Sequence, residues 1–91
     1  MEVKYTKHFL NKLEDLMSET DFIIRYEKGN FQSGFCILNK DKVAVINKFF
    51  ALEGKVNSLI EIIRTVQIDT AMLSDGNRKL YHSITQNQLQ L

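Results

Sequence analysis

The chain has no proline and no tryptophan, and only one cysteine and four glycines among its 91 residues. The absence of proline excludes a Pro-rich linker and removes the strongest breaker of helices and strands. One cysteine, Cys36, excludes an intramolecular disulfide and any zinc site built on two or more cysteines. Small secreted domains commonly depend on several bridges, so a reducing cytoplasm is the expected setting. Long apolar runs are missing as well. The longest have four residues: Phe35–Leu38, Val43–Ile46 and Phe49–Leu52. A membrane span needs about 20. A signal peptide needs an apolar stretch that the charged start, MEVKYTKHFLNKLEDL, lacks. No membrane partner is therefore expected.

Nor is there a surplus of either charge. Twelve basic residues stand against 11 acidic ones, a net charge of +1, which gives no reason to expect a polyanionic partner. The middle third is slightly basic without forming a patch. Hydrophobic residues at 44% and charged residues at 25% are ordinary for a globular protein, so one modest core is expected. Residues 1–91 read as a single domain, with 86–91 a polar, frayed tail.

Hydrophobic spacing places the elements. Phe9, Leu10, Leu13, Leu16 and Met17 recur at three- and four-residue intervals, which predicts a helix over 4–18 with Thr6 as a candidate N-cap. Phe22, Ile24 and Tyr26 alternate with Ile23, Arg25 and Glu27, which predicts a strand. Gly29-Asn30 is a tight-turn signal, residues 31–38 a second strand, 39–42 a turn and Val43–Asn47 a third strand. Three strands on short turns imply an antiparallel meander. Leu52, Val56, Leu59, Ile60, Ile63 and Val66 share one face of a helix over 52–67. Asp69 or Ser74 is placed to cap the next element, and Leu80, Tyr81 and Ile84 suggest a last helix over 75–86. The fold class is α+β: an N-terminal helix, a three-stranded meander, and two or three helices on one sheet face.

Turn length sets the expected register. A two-residue loop at Gly29-Asn30 opposes Ile24 with Phe35 and Phe22 with Ile37. A hairpin tip at Lys40-Asp41 opposes Leu38 with Val43 and Cys36 with Val45. One face then carries Phe22, Ile24, Tyr26, Phe35, Ile37, Ala44 and Ile46 and belongs under the helices. Leu59 and Ile63 are expected against Phe35 and Ile37. The other face mixes Ile23, Cys36, Leu38, Val43 and Val45 with Arg25, Glu27, Gln32, Gly34 and Asn47. Two explanations stand for so much apolar surface: cover by a helix or ordinary surface apolarity, or a partner surface, most simply for a second copy.

Chemistry-bearing sets are sparse. His8 and His82 lie on different predicted helices, neither with a ligand-type residue at i+3 or i+4, and read as surface residues. Cys36, between Phe35 and Ile37, is expected to be buried and inert. Gly29, Gly34, Gly54 and Gly76 match no phosphate-loop spacing. Gly34 suggests a bulge or close backbone approach. Gly54 marks a late first helical turn or leaves room for a packed neighbour. Phe49 and Phe50, with Lys40, Lys42, Lys48 and Lys55, form a candidate stacking and phosphate-holding set for single-stranded nucleic acid. No catalytic residue, cofactor site or metal site is predicted.

The run Val43-Ala-Val-Ile-Asn47, a connection, and then Lys55-Val-Asn-Ser-Leu-Ile-Glu-Ile-Ile63 resembles the strand–loop–helix core of the ImmA/IrrE-type zinc metallopeptidases. In that family a strand ending near an asparagine leads into a helix bearing HExxH. Here Ser58–Thr65 reads SLIEIIRT, with neither histidine, and Glu61 alone does not make the motif. The resemblance implies a shared scaffold and argues against protease activity. Tyr26–Cys36, YEKGNFQSGFC, is similar to small bacterial proteins of unassigned function, which implies a stand-alone bacterial chain. The expected function is a non-catalytic interaction domain that self-associates, most simply as a homodimer, or docks on another protein. The candidate interface is Ile23, Arg25, Cys36, Leu38, Val43, Val45 and Asn47. The alternative is nucleic-acid binding at the Phe49–Phe50 set.

Overall fold

A computed structural model describes residues 3–28, 35–38 and 40–86, with the side chain of Phe35 excepted. Helix α1 (Lys7–Ser18) starts where Thr6 stops it from starting earlier. Thr6 is extended, and its hydroxyl accepts from the Phe9 N–H at 3.1 Å, satisfying an otherwise orphan donor. The helix is thus three residues shorter at its start than the spacing predicts. Its buried residues are Phe9, Leu10, Leu13, Leu16 and Met17, the predicted stripe in full.

Helix α2 (Leu52–Thr65) has no side-chain cap at Ala51, but carries Glu53 in its first turn and Arg64 in its last, both favourable to the helix dipole. It ends two residues before the predicted boundary. Val56, Leu59, Ile62 and Ile63 are fully buried on it. Asp69 then caps a single 3₁₀ turn, Thr70–Met72, by accepting from the Ala71 N–H at 3.0 Å. Helix α3 (Asp75–Gln86) has the predicted bounds and buries Ile84. The tail expected to fray lies, from residue 87, outside the described residues. No helix among the described residues is long and apolar enough to cross a membrane.

The sheet departs from the meander. Its strands are β1 (Ile23–Glu27), β2 (Phe35–Leu38) and β3 (Val43–Asn47), in the order β1-β3-β2. The β2–β3 hairpin is antiparallel, with Leu38 opposite Val43 and Cys36 opposite Val45, as predicted. Strand β1 does not pair with β2. It pairs with β3 in parallel, Ile23 beside Val43 through Glu27 beside Asn47. The predicted oppositions of Ile24 with Phe35 and Phe22 with Ile37 are therefore wrong. A two-residue turn joins neighbouring strands, and β1 and β2 are not neighbours. Gly29-Asn30, Gln32 and Gly34 lie outside the described residues.

The face assignment survives this correction. Ala44 and Ile46 are fully buried, and Phe22, Ile24, Tyr26 and Ile37 pack on the same core. Period-two alternation decides which face a residue takes, whichever strand lies beside it. Helices α1 and α2 cover this inner face, α1 over β1 and α2 over β3. Leu59 and Ile63 are buried in that layer as expected; the expected partner side chain of Phe35 lies outside the described set.

Helix α3 docks on α1 and α2 through polar groups as well as Ile84. Asn77 is buried and donates to Asp15 at 3.0 Å and to Glu19 at 2.9 Å. The Glu19 carboxylate also accepts from the Ser74 N–H at 2.8 Å, so it closes the N-terminal side of α3. These two donors, Asn77 first, hold the Glu19 carboxyl below its ordinary value of 4.5. At the other end, Arg64 donates to the Ile84 carbonyl at 3.2 Å.

This packing has two measurable consequences. Leu59→Ala removes a fully buried side chain and is expected to cost about 2–5 kcal/mol in chemical denaturation; a loss below about 1 kcal/mol would contradict the placement of α2. Glu19 has a lowered folded pKa, so its contribution is present above the unfolded value and is lost as pH falls through the folded one. Stability of the parent should decline on acidification below about pH 4.5, and Glu19→Gln should flatten that decline. An acid limb of unchanged slope in the variant would remove Glu19 from the docking of α3.

Candidate functional site

The outer sheet face is a surface that no helix of the described chain covers. Its residues lie in rows set by the register. Ile23, Val43 and Leu38 cross all three strands in one row, and Arg25, Val45 and Cys36 form the next. Glu27 and Asn47 share a third. Ile23 is 59% exposed and Leu38 45%, large values for apolar side chains in a sheet. Val43 and Val45 are half-buried by their neighbours alone. The first row is wholly apolar, and polarity increases along the strands toward Glu27 and Asn47.

Among the described residues no helix crosses behind the sheet, which removes one explanation of this face. Cys36, expected to be buried, is exposed. A residue in the middle of an apolar run reads as core, but the strand alternates and Cys36 falls on the open side. Arg25 and Glu27 form an ion pair on this face, Nε to Oε2 2.7 Å, with both side chains largely in solvent. Asn47 is less available, because its side-chain oxygen accepts from the Phe49 N–H at 3.0 Å.

The nucleic-acid set is not brought together. Lys40 and Lys42 stand at the β2–β3 turn, and Lys48, Phe49, Phe50 and Lys55 at the opposite end of β3. Six residues of extended chain put about 20 Å between the two groups. Lys42 adopts a left-handed backbone, φ 53°, and pairs with Asp21 at 3.3 Å. Lys48 stands over the Phe49 ring at 5.3 Å, and Lys55 over the Tyr26 ring at 5.6 Å. Phe49 is 68% exposed. Phe50 instead lies on Gly54: a Cβ there would stand 3.0 Å from Phe50 Cγ and nearer still to Cδ2. Of the two readings of Gly54, room for a packed neighbour is the one the structure bears out.

The other candidates named from the sequence stand apart among the described residues. His8 and His82 are exposed on α1 and α3. Among the described residues no three His, Cys, Asp or Glu side chains are grouped to hold a metal. Glu61, the one counterpart of the metallopeptidase motif, faces solvent and pairs with Arg64 at 3.7 Å. One pairing has no signal in the sequence. The Tyr26 hydroxyl donates to the Glu14 carboxylate, and burial, then this contact, pushes the phenol well above its ordinary range. Tyr26 and Glu14 border a groove between α1 and the edge of β1 that the described residues leave unpaired, lined also by Met17, Phe22 and Ile24. Nothing local marks two residues 12 apart as partners; only the α1–β1 packing makes them so.

Compared with protein-family models, curated proteins and solved structures, the chain matches none.

The Phe50–Gly54 contact gives a reciprocal test. Gly54→Ala should destabilise the parent, because the added methyl meets the ring, despite the roughly 1 kcal/mol that alanine gains over glycine inside a helix. With Phe50→Ala already present, Gly54→Ala should stabilise instead. Equal effects in both backgrounds, in a double-mutant cycle read by thermal melting, would show that the ring does not rest on this glycine.

Proposed function

We propose that the chain is a non-catalytic protein-interaction domain that self-associates through the outer face of its sheet. The observation that carries this reading is the apolar row Ile23–Val43–Leu38, which spans all three strands and lies open to solvent. Water in contact with such a row is released when a second apolar face covers it. The face also carries one cation and one anion, Arg25 and Glu27, so two copies meet without net repulsion. A three-stranded face is smaller than the roughly 800 Å² per partner of a standard interface, so the pair is expected to be reversible. The cytoplasmic setting and the bacterial origin expected from the sequence belong to the same proposal.

A second reading keeps one specific support. Phe49, the most exposed large apolar side chain among the described residues, is flanked by Lys48, an arrangement on which an unpaired base can stack. With the other lysines distant or paired, few phosphates would be held, and the affinity for an oligonucleotide would be low and steeply salt-dependent.

Val45→Lys separates the readings. A charge at the centre of the face costs several kcal/mol to desolvate on association, so the variant should self-associate more weakly than the parent, with a smaller concentration-dependent rise in mass. Its melting temperature should stay within a few degrees of the parent, because the inner face is untouched. A parent that is monomeric at high micromolar concentration, and a variant identical to it in mass, would sink the outer-face reading. Salt-dependent binding of an oligonucleotide by that monomer, lost in Phe49→Ala, would move the function to the Phe49 segment.

A further inference from the structure

Beyond its faces, the sheet has an edge that the described residues leave open, along β1. In the parallel ladder the Ile23 N–H donates to the Lys42 carbonyl at 2.9 Å, and the Glu27 carbonyl accepts from the Lys48 N–H at 3.1 Å. The odd-numbered residues of β1 thus turn their backbone groups toward β3. Successive residues of a strand alternate sides, so Ile24 and Tyr26 turn theirs outward. Their side chains are only half-buried, and they line the groove of about 400 Å³ that separates this edge from α1.

We propose that this edge pairs with β1 of a second copy, antiparallel about a two-fold axis centred on Tyr26, and joins two three-stranded sheets into one. A two-fold axis makes the pairing antiparallel, and the outward backbone groups require even-numbered residues to oppose even-numbered ones. Few registers meet both conditions. Centred on Arg25, the pairing sets Arg25 against Arg25; centred on Glu27, it sets Glu27 against Glu27. Centred on Ile24, it sets Arg25 against Ile23. Centred on Tyr26, each Arg25 faces Glu27 of the second copy, twice by symmetry. Unlike charges directly opposite favour a strand pair and like charges oppose it.

Charged side chains commonly keep edge strands from pairing. On β1 the two charges are of opposite sign and two residues apart, so in this one register they cancel. The ion pair that Arg25 and Glu27 already make at 2.7 Å within the chain is exposed and exchanges readily for the same pair across the edge. The added strand also covers Ile24 and Tyr26, which the single chain leaves half in solvent. The edge is a separate surface from the outer face, and its pairing stands or falls independently of that reading.

The test uses the full chain carrying Val45→Lys, which abolishes outer-face pairing and leaves the edge intact. In that protein the amides of Ile24 and Tyr26 should gain protection from hydrogen exchange as concentration rises, while those of Arg25 and Glu27 are protected throughout. For register, Cys36→Ser is added, then Arg25→Cys in one sample and Glu27→Cys in another. Under mild oxidation by diamide, disulfide-linked dimer should accumulate several-fold faster in the mixture than in either sample alone, because residues 25 and 27 are opposed only across the pair. Concentration-independent exchange at Ile24 and Tyr26 would overturn the proposal. So would equal cross-linking rates in mixed and separate samples. A smaller but persistent concentration-dependent rise in mass on Val45→Lys, with edge protection retained, would support both surfaces.

Discussion

The insertion of β3 between β1 and β2 is the constraint on which the rest of this structure depends. Each neighbour bonds to β3 and not to the other, so the sheet exists only once β3 is in place. Its inward residues, Ala44 and Ile46, are fully buried, and α2 lies directly on them. The hairpin with β2 is local and closes over a few residues. The pairing with β1 is non-local, so its contacts must offset the entropic cost of closing a longer loop. β3 is also free of charged residues, as suits a strand with neighbours on both edges, while the edge strand β1 carries Arg25 and Glu27.

The helices are held to this sheet by two kinds of contact with different sensitivities. Leu13, Leu16 and Met17 of α1 and Leu59, Ile62 and Ile63 of α2 are fully buried, a layer indifferent to pH. The junction of α1 with α3 is polar. Asn77 is buried with its amide shared between Asp15 and Glu19, and a buried amide left without partners is costly. That junction responds to acid through Glu19, whose carboxylate is held below its ordinary range by the donors it accepts from. Stability at the α3 end thus depends on pH through Glu19, while the apolar layer carries no such dependence.

Among the described residues no helix lies on the second sheet face, which leaves its rows of side chains in contact with solvent. The face is apolar at the Ile23 row and polar toward Glu27 and Asn47, and it includes an exposed thiol at Cys36. The Tyr26–Glu14 pair links α1 to β1 at the wall of the groove between them.

Much of this is legible in the residues. The stripes of α1 and α2, the bounds of α3, the Thr6 cap, the β2–β3 register and the two faces of the sheet all come from periodicity and local capping, which act over a turn or two of chain. The neighbour of β1 is not legible, because alternation chooses a face and says nothing of which strand lies beside it; β1 keeps the same inward side chains in either arrangement. The exposure of Cys36 runs against expectation for a related reason: its apolar neighbours suggest burial, but the side of the pleat decides. The Tyr26–Glu14 contact and the β1 edge that the described residues leave open are decided by tertiary structure alone. Each depends on which distant segments meet, and that is settled by how the whole core packs rather than by any local pattern.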